Sequence, residues 1–145
     1  MNNPISIVFV DDNPTERMLF EDAMLASREY VNDVKFSSDG VELLHLLRCE
    51  GKHEMSCPLH LPDLVVLDLN MPTMTGFEVL QEIRKDEKLK TIPVVVLSAS
   101  DDAADIKRCY ALGASGYIVK PGNHEDLKTA FLQLTSYWAT LMRSH

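Results

Sequence analysis

Short β-branched apolar runs alternate along the chain with longer stretches of helical period, and the alternation occurs five times. That rhythm predicts an α/β protein with a parallel sheet covered by helices on both faces. The strands read as Ile5–Val10 (ISIVFV), Asp33–Ser37 (DVKFS), Leu64–Leu67 (LVVL), Ile92–Ser98 (IPVVVLS) and Gly116–Val119 (GYIV). The first, third and fourth are nearly all apolar, so both of their faces must be covered and they belong in the middle of the sheet. Helices are expected to start near Pro14, Val41, Gly76, Ala103 and Asn123, several of them behind an Asp, Thr or Asn cap. In the last helix Leu127, Ala130, Phe131, Leu134, Trp138 and Leu141 fall three or four residues apart and form one core-facing stripe. Arg48–Pro62 (RCEGKHEMSCPLHLP) breaks the rhythm and reads as an extended loop.

The 145 residues, 46% of them hydrophobic, suit a single domain over 1–145 with a core that needs no disulfide or metal. No linker or repeat divides them. A formal charge of −8 without clustered Lys or Arg argues against nucleic acid as a partner. No apolar run is long enough to span a bilayer and the opening MNNPIS is unlike a signal peptide, which points to a cytoplasmic protein without membrane contact. Cys49, Cys57 and Cys109 make an odd set without a framework pattern, as expected of free thiols in a reducing compartment. Cys49, His53, Cys57 and His60 have intervals loosely like those of a zinc site, but paired C-x₂-C spacing is lacking and one loop rarely encloses a metal.

In an open α/β sheet ligands bind beyond the carboxyl ends of the strands. Asp11 and Asp12 follow the first strand, and Asp68 follows the third. If these strands are neighbours the carboxylates converge, and two of them at about 4 Å repel by roughly 4 kcal/mol at an effective dielectric near 20. Such a cluster needs a cation. Oxygen ligands without Cys or His match Mg²⁺, held by Asp11 or Asp12, by Asp68 and by a backbone carbonyl near Asn70. Lys120, at the end of the fifth strand, brings an ammonium within reach of a carboxylate or a phosphoryl oxygen. Ser98 closes the fourth strand with a hydroxyl at the same edge, and small Ala99 leaves room beside it. Any one of these is an ordinary turn residue by itself; five polar groups ending four strands point to a site.

At these residues the chain resembles the receiver domains of two-component response regulators, over essentially its whole length. DD after strand one, D-L-N-M-P-x-M-x-G after strand three, S-A after strand four and K-P after strand five stand in family order. The resemblance implies a flavodoxin-like, doubly wound sheet in the order 2-1-3-4-5 with five helices, and a phosphoryl group accepted by Asp68 from a sensor histidine kinase. It makes Asp11 and Asp12 the acidic metal pair, with Mg²⁺, or Mn²⁺ in its place, completed by the Asn70 carbonyl. Ser98 corresponds to the hydroxyl of the switch and Tyr117 to the aromatic that turns inward on activation. Pro121 corresponds to a proline that follows the lysine through a cis peptide bond. The long Arg48–Pro62 insertion and the DNPTERMLFEDAM opening are similar to single-domain regulators paired with bacterial and cyanobacterial phytochromes.

The expected function is therefore that of a messenger rather than an enzyme: catalysis is limited to its own phosphorylation and dephosphorylation, and output runs through protein contact, with homodimerisation through the fourth and fifth helices as one route. A metal-dependent phosphohydrolase with an aspartyl-phosphate intermediate shares the nucleophile and the metal, but it wants a second acid two residues on, where this chain has Asn70. A flavin or nucleotide binder would need a Gly, Ser or Thr-rich phosphate loop after strand one, where DDNP supplies two negative charges. A degenerate receiver is opposed by the intact set of site residues.

Overall fold

The computed structural model describes residues 4–49, 61–71 and 73–143. In chain order the elements are β1 (Ile5–Val10), α1 (Pro14–Ala26), β2 (Val31–Ser37), α2 (Gly40–Arg48), β3 (Leu64–Asp68), α3 (Gly76–Lys85), β4 (Val94–Ser98), α4 (Ala103–Ala111), β5 (Gly116–Val119) and α5 (His124–Arg143). The five strands form one parallel sheet in the order β2-β1-β3-β4-β5. The three apolar strands take the middle, as their patterns demand.

Alternation along each inner strand sends its side chains to two separate cores. Val8, Val10, Val65, Leu67, Val94 and Val96 pack with α2 and α3 on one face. Ile7, Phe9, Leu64, Val66, Val95 and Leu97 pack with α1 and α5 on the other. The second core is built on aromatics. Phe9 stacks on Phe20 with ring centroids 4.2 Å apart, and Phe131 meets Phe20 edge-on at 5.0 Å. α4 is attached differently, since Cys109 is its one buried residue.

Local chemistry sets the helix ends. Asn13, Asp39, Thr75 and Asp102 are N-caps whose side chains accept backbone N–H bonds, and Pro14 takes the first position of α1, where no N–H is needed. Gly76 begins α3 against the chain that leaves β3: a Cβ there would lie 2.8 Å from the Leu69 Cα.

Several boundaries move. β2 begins at Val31 rather than Asp33, because Val31 pairs with Ile5. β4 begins at Val94 rather than Ile92: Pro93 has no N–H to give the ladder, although its carbonyl accepts from Val65 at 3.0 Å. The stripe of α5 holds for Leu127, Phe131 and Leu134, but then shifts. Thr135 and Ala139 are fully buried while Leu141 is 38% exposed. Thr135 is accommodated because its hydroxyl donates to the Phe131 carbonyl at 2.8 Å. Arg48 ends α2 instead of opening the loop, and residues 50–60 of that loop lie outside the described residues. His53, Cys57 and His60 fall there. The expectation of free thiols is corrected at Cys49, which is disulfide-bonded, whereas Cys109 is a buried free thiol. Among the described residues no helix is long and apolar enough to cross a membrane.

Candidate functional site

The carboxyl ends of β1, β3, β4 and β5 meet at one edge of the sheet. Asp11 leaves β1, Asp68 ends β3 opposite Leu97, Ser98 ends β4 opposite Val119, and Lys120 follows β5. Ligand atoms of Asp11, Asp12 and Asp68 all lie within 4.8 Å of one another. Asp11 is fully buried and Asp68 nearly so, while Asp12 is exposed. Two strands thus deliver acids from under an apolar sheet into one pocket.

Backbone donors fix both buried acids. The Asn13 N–H donates to Asp11 Oδ1 at 2.8 Å, and the Asn70 N–H donates to Asp68 Oδ1 at 3.1 Å. The second bond also sets the backbone of residue 70 beside the carboxylate. Lys120 Nζ stands 3.4 Å from Asp68 Oδ2 and 2.8 Å from Glu16 Oε1. Asp11 Oδ2 is buried and accepts no hydrogen bond.

The electrostatics follow from this crowding. Burial, the adjoining Glu16 carboxyl and the charge of Asp68 push Asp11 up to about 8, against the lowering effect of the Asn13 N–H. Burial also raises Asp68, opposed by the Lys120 ammonium and the Asn70 N–H. For Lys120 burial works against the charge, but Glu16 and the aspartates outweigh it and its pKa is raised. A buried carboxylate oxygen without a donor, among oxygen ligands alone, fits a hard divalent cation. Asp11, Asp12 and Asp68 are the side chains that would hold it, with the residue 70 carbonyl in reach.

Beside the acids, Ser98 is fully buried and its Oγ accepts from the Ser100 N–H at 3.1 Å. Tyr117 is half-buried against the core of the α2 and α3 face, and its hydroxyl donates to the Ser100 carbonyl at 2.8 Å. Ala99 is exposed at the rim. The cis bond expected before Pro121 is corrected: the Lys120–Pro121 peptide is trans. The Lys120 N–H carries the ladder one step beyond β5, donating to the Ser98 carbonyl at 2.7 Å. Its Nζ reaches the pocket in the trans geometry, which is favoured even before proline by about 0.5–1 kcal/mol. Sequence reasoning missed Glu16, whose signal was an acid one helical turn beyond the Asp11-Asp12 pair.

The doubly wound parallel sheet makes this a domain of the flavodoxin-like kind, with an acid cluster and a lysine at the carboxyl edge where such sheets bind ligands. Residues 7–132 match the response regulator receiver domain, and the chain belongs to that family. It is 34% identical over 142 residues to the probable methanogenesis regulatory protein FilR2 of Methanothrix harundinacea (strain 6Ac), covering 98% of this chain and 88% of that protein. It is 33% identical over 137 residues to the response regulator Rcp1 of Synechocystis sp. (strain ATCC 27184 / PCC 6803 / Kazusa), covering 94% and 90%. The Mn²⁺-bound crystal structure of Rcp1 superposes with a TM-score of 0.85 at 32% identity, over 94% of this chain and 95% of that one. The phosphorylated cyanobacterial phytochrome response regulator RcpA gives a TM-score of 0.85 at 37% identity, over 94% of both chains. This chain is thus a response regulator receiver similar to phytochrome-associated regulators.

Proposed function

We propose that Asp68 is the phosphoacceptor of this response regulator and that Asp11, Asp12, Asp68 and the Asn70 carbonyl hold its Mg²⁺. The observation that carries this reading is the convergence of three aspartates within 4.8 Å, one of them 3.4 Å from Lys120. In the transfer, an Asp68 carboxylate oxygen forms a bond to phosphorus as the bond from phosphorus to the kinase histidine nitrogen breaks. The imidazole keeps the electron pair and takes up a proton. When bound, the divalent cation supplies positive charge where the acceptor carboxylate and the incoming anion would otherwise repel. Lys120 supplies a second positive centre at the phosphoryl oxygens, and Ser98 a hydroxyl at the adjoining strand end. A later attack of water on phosphorus returns the carboxylate and releases phosphate.

Ser98 drawn towards a phosphoryl oxygen would pull on Ser100 and, through its carbonyl, on Tyr117. A shift from 1:99 to 99:1 between two arrangements requires about 5.5 kcal/mol of differential interaction, within the scale of several charge-assisted hydrogen bonds. The surface so altered is that of α4, β5 and α5. Its exposed Tyr110, Val119 and Tyr137 suit contact with a protein target or a second copy of the chain. The likeness to RcpA and to a bacteriophytochrome response regulator supports a phytochrome histidine kinase as donor.

Phosphoramidate with Mg²⁺, read on a phosphate-affinity gel, tests the assignment. Wild-type protein is expected to shift and Asp68→Asn to remain unshifted; an equal shift in the variant would remove Asp68 from the role.

A further inference from the structure

Glu16 is an acid of the pocket to which the reading above gives no task. It stands at the third position of α1, behind the N-cap Asn13. A glutamate at that position commonly reaches back to the N-cap N–H and completes a capping box. Glu78 does so in α3, accepting from the Thr75 N–H at 3.1 Å. In α1 the equivalent donor is engaged, because the Asn13 N–H points to Asp11 Oδ1. Glu16 turns into the pocket instead, where its side chain is 17% exposed and its Oε1 lies 2.8 Å from Lys120 Nζ. Asp68 Oδ2 stands 3.4 Å from the same nitrogen. Of two carboxylates sharing one ammonium, the nearer holds it more strongly.

We infer that Glu16 is a positioning residue that tethers Lys120 until a phosphoryl group on the neighbouring acid outcompetes it. The inference rests on the reading of Asp68 as phosphoacceptor. Before transfer, the tether joins the first turn of α1 to the end of β5 and holds the ammonium nearer to Glu16 than to Asp68. After transfer, a group with nearly two negative charges and three acceptor oxygens competes with one carboxylate, and the lysine follows the stronger field. Breaking the Glu16 contact is then a cost on the phosphorylated state, so the glutamate sets how readily the pocket charges. Glu16 also adjoins Asp11, so the part of its effect that the tether explains is the part that disappears with Lys120.

The test is the rate of labelling by phosphoramidate at saturating Mg²⁺ in wild type, Glu16→Gln, Lys120→Met and the double variant, each first checked by thermal melting. Glu16→Gln keeps the shape and weakens the tether; it is expected to label about fivefold faster than wild type. Glu16→Asp, which keeps the charge, is expected to return towards the wild-type rate. In the Lys120→Met background the glutamine substitution is expected to have a much smaller effect. A Glu16→Gln rate equal to that of a labelled wild type would overturn the tether alone. A rise of the same size without the lysine would overturn it too, because the charge would then be acting on the donor directly. A wild type that takes no label would fail the Asp68 reading together with this one. Should the glutamine variant not fold, Glu16→Ser carries the same comparison.

Discussion

Tyr117 and Ser98 are joined through a single backbone unit: the Ser100 N–H donates to Ser98 Oγ and the Ser100 carbonyl accepts from the Tyr117 hydroxyl. Tyr117→Phe removes the second bond while keeping the ring. The loss is expected to be about 1 kcal/mol of stability, read as a lower urea midpoint at unchanged slope.

Arg84 ties three segments together without a carboxylate. Its guanidinium donates to the carbonyls of Gly113, Lys90 and Ile92 at 2.7 to 3.1 Å, joining α3 to the start of β4 and to the turn before β5. Arg84→Ala should leave these carbonyls without their donor and lower stability by roughly 2–4 kcal/mol. Arg84→Lys should recover only part of this, because an ammonium cannot reproduce the planar fork. Chemical denaturation of the two variants measures both.

Asp11 makes the metal-free protein sensitive to pH. Its folded pKa of about 8 lies above the ordinary carboxyl value of 3.8, so the native state binds more protons than the unfolded chain between those values. Its contribution is full below about 4 and is lost as pH rises towards 8, giving a falling melting temperature in chelator. Mg²⁺ favours the ionised form and is expected to flatten the fall. Asp11→Asn should show a shallower fall with pH and a smaller response to Mg²⁺, the remainder coming from Asp68, whose carboxyl is also raised by burial, as scanning calorimetry would show.

Gly76 permits the closure of the loop behind Asp68. A methyl group at this position would press on the Leu69 Cα, a backbone atom with little freedom to yield, and the Gly76 N–H donates to the Leu69 carbonyl at 3.0 Å. Gly76→Ala should cost roughly 1–3 kcal/mol and weaken Mg²⁺ binding in calorimetric titration, since the displaced chain carries residue 70.

The sheet was legible because apolar alternation is a local property. β1 and β5 fall where their letters predict, and the converging acids follow once β1 and β3 are neighbours. Glu16 was not legible for a physical reason: the same residue type at the same helical position caps its helix in α3 and enters the pocket in α1. The difference lies in which acceptor the N-cap N–H has already found. The drift of the α5 stripe to Thr135 and Ala139 is of the same kind, since a threonine can be buried when its hydroxyl returns to a carbonyl of its own helix.

The unequal attachment of the helices decides where the molecule can give way. α1 and α5 are pinned by interlocked phenyl rings, so strain arising at the carboxyl edge meets a stiff wall on that side. α4 buries only Cys109, adds the Arg108 guanidinium over the Phe77 ring and an Asp105 carboxylate that accepts from the Ser100 hydroxyl, and begins a few residues beyond Ser98. A pull at the end of β4 would therefore be taken up by the helix with the fewest buried residues, and under the proposed function a local charge event would become a change of outer shape that another protein could feel.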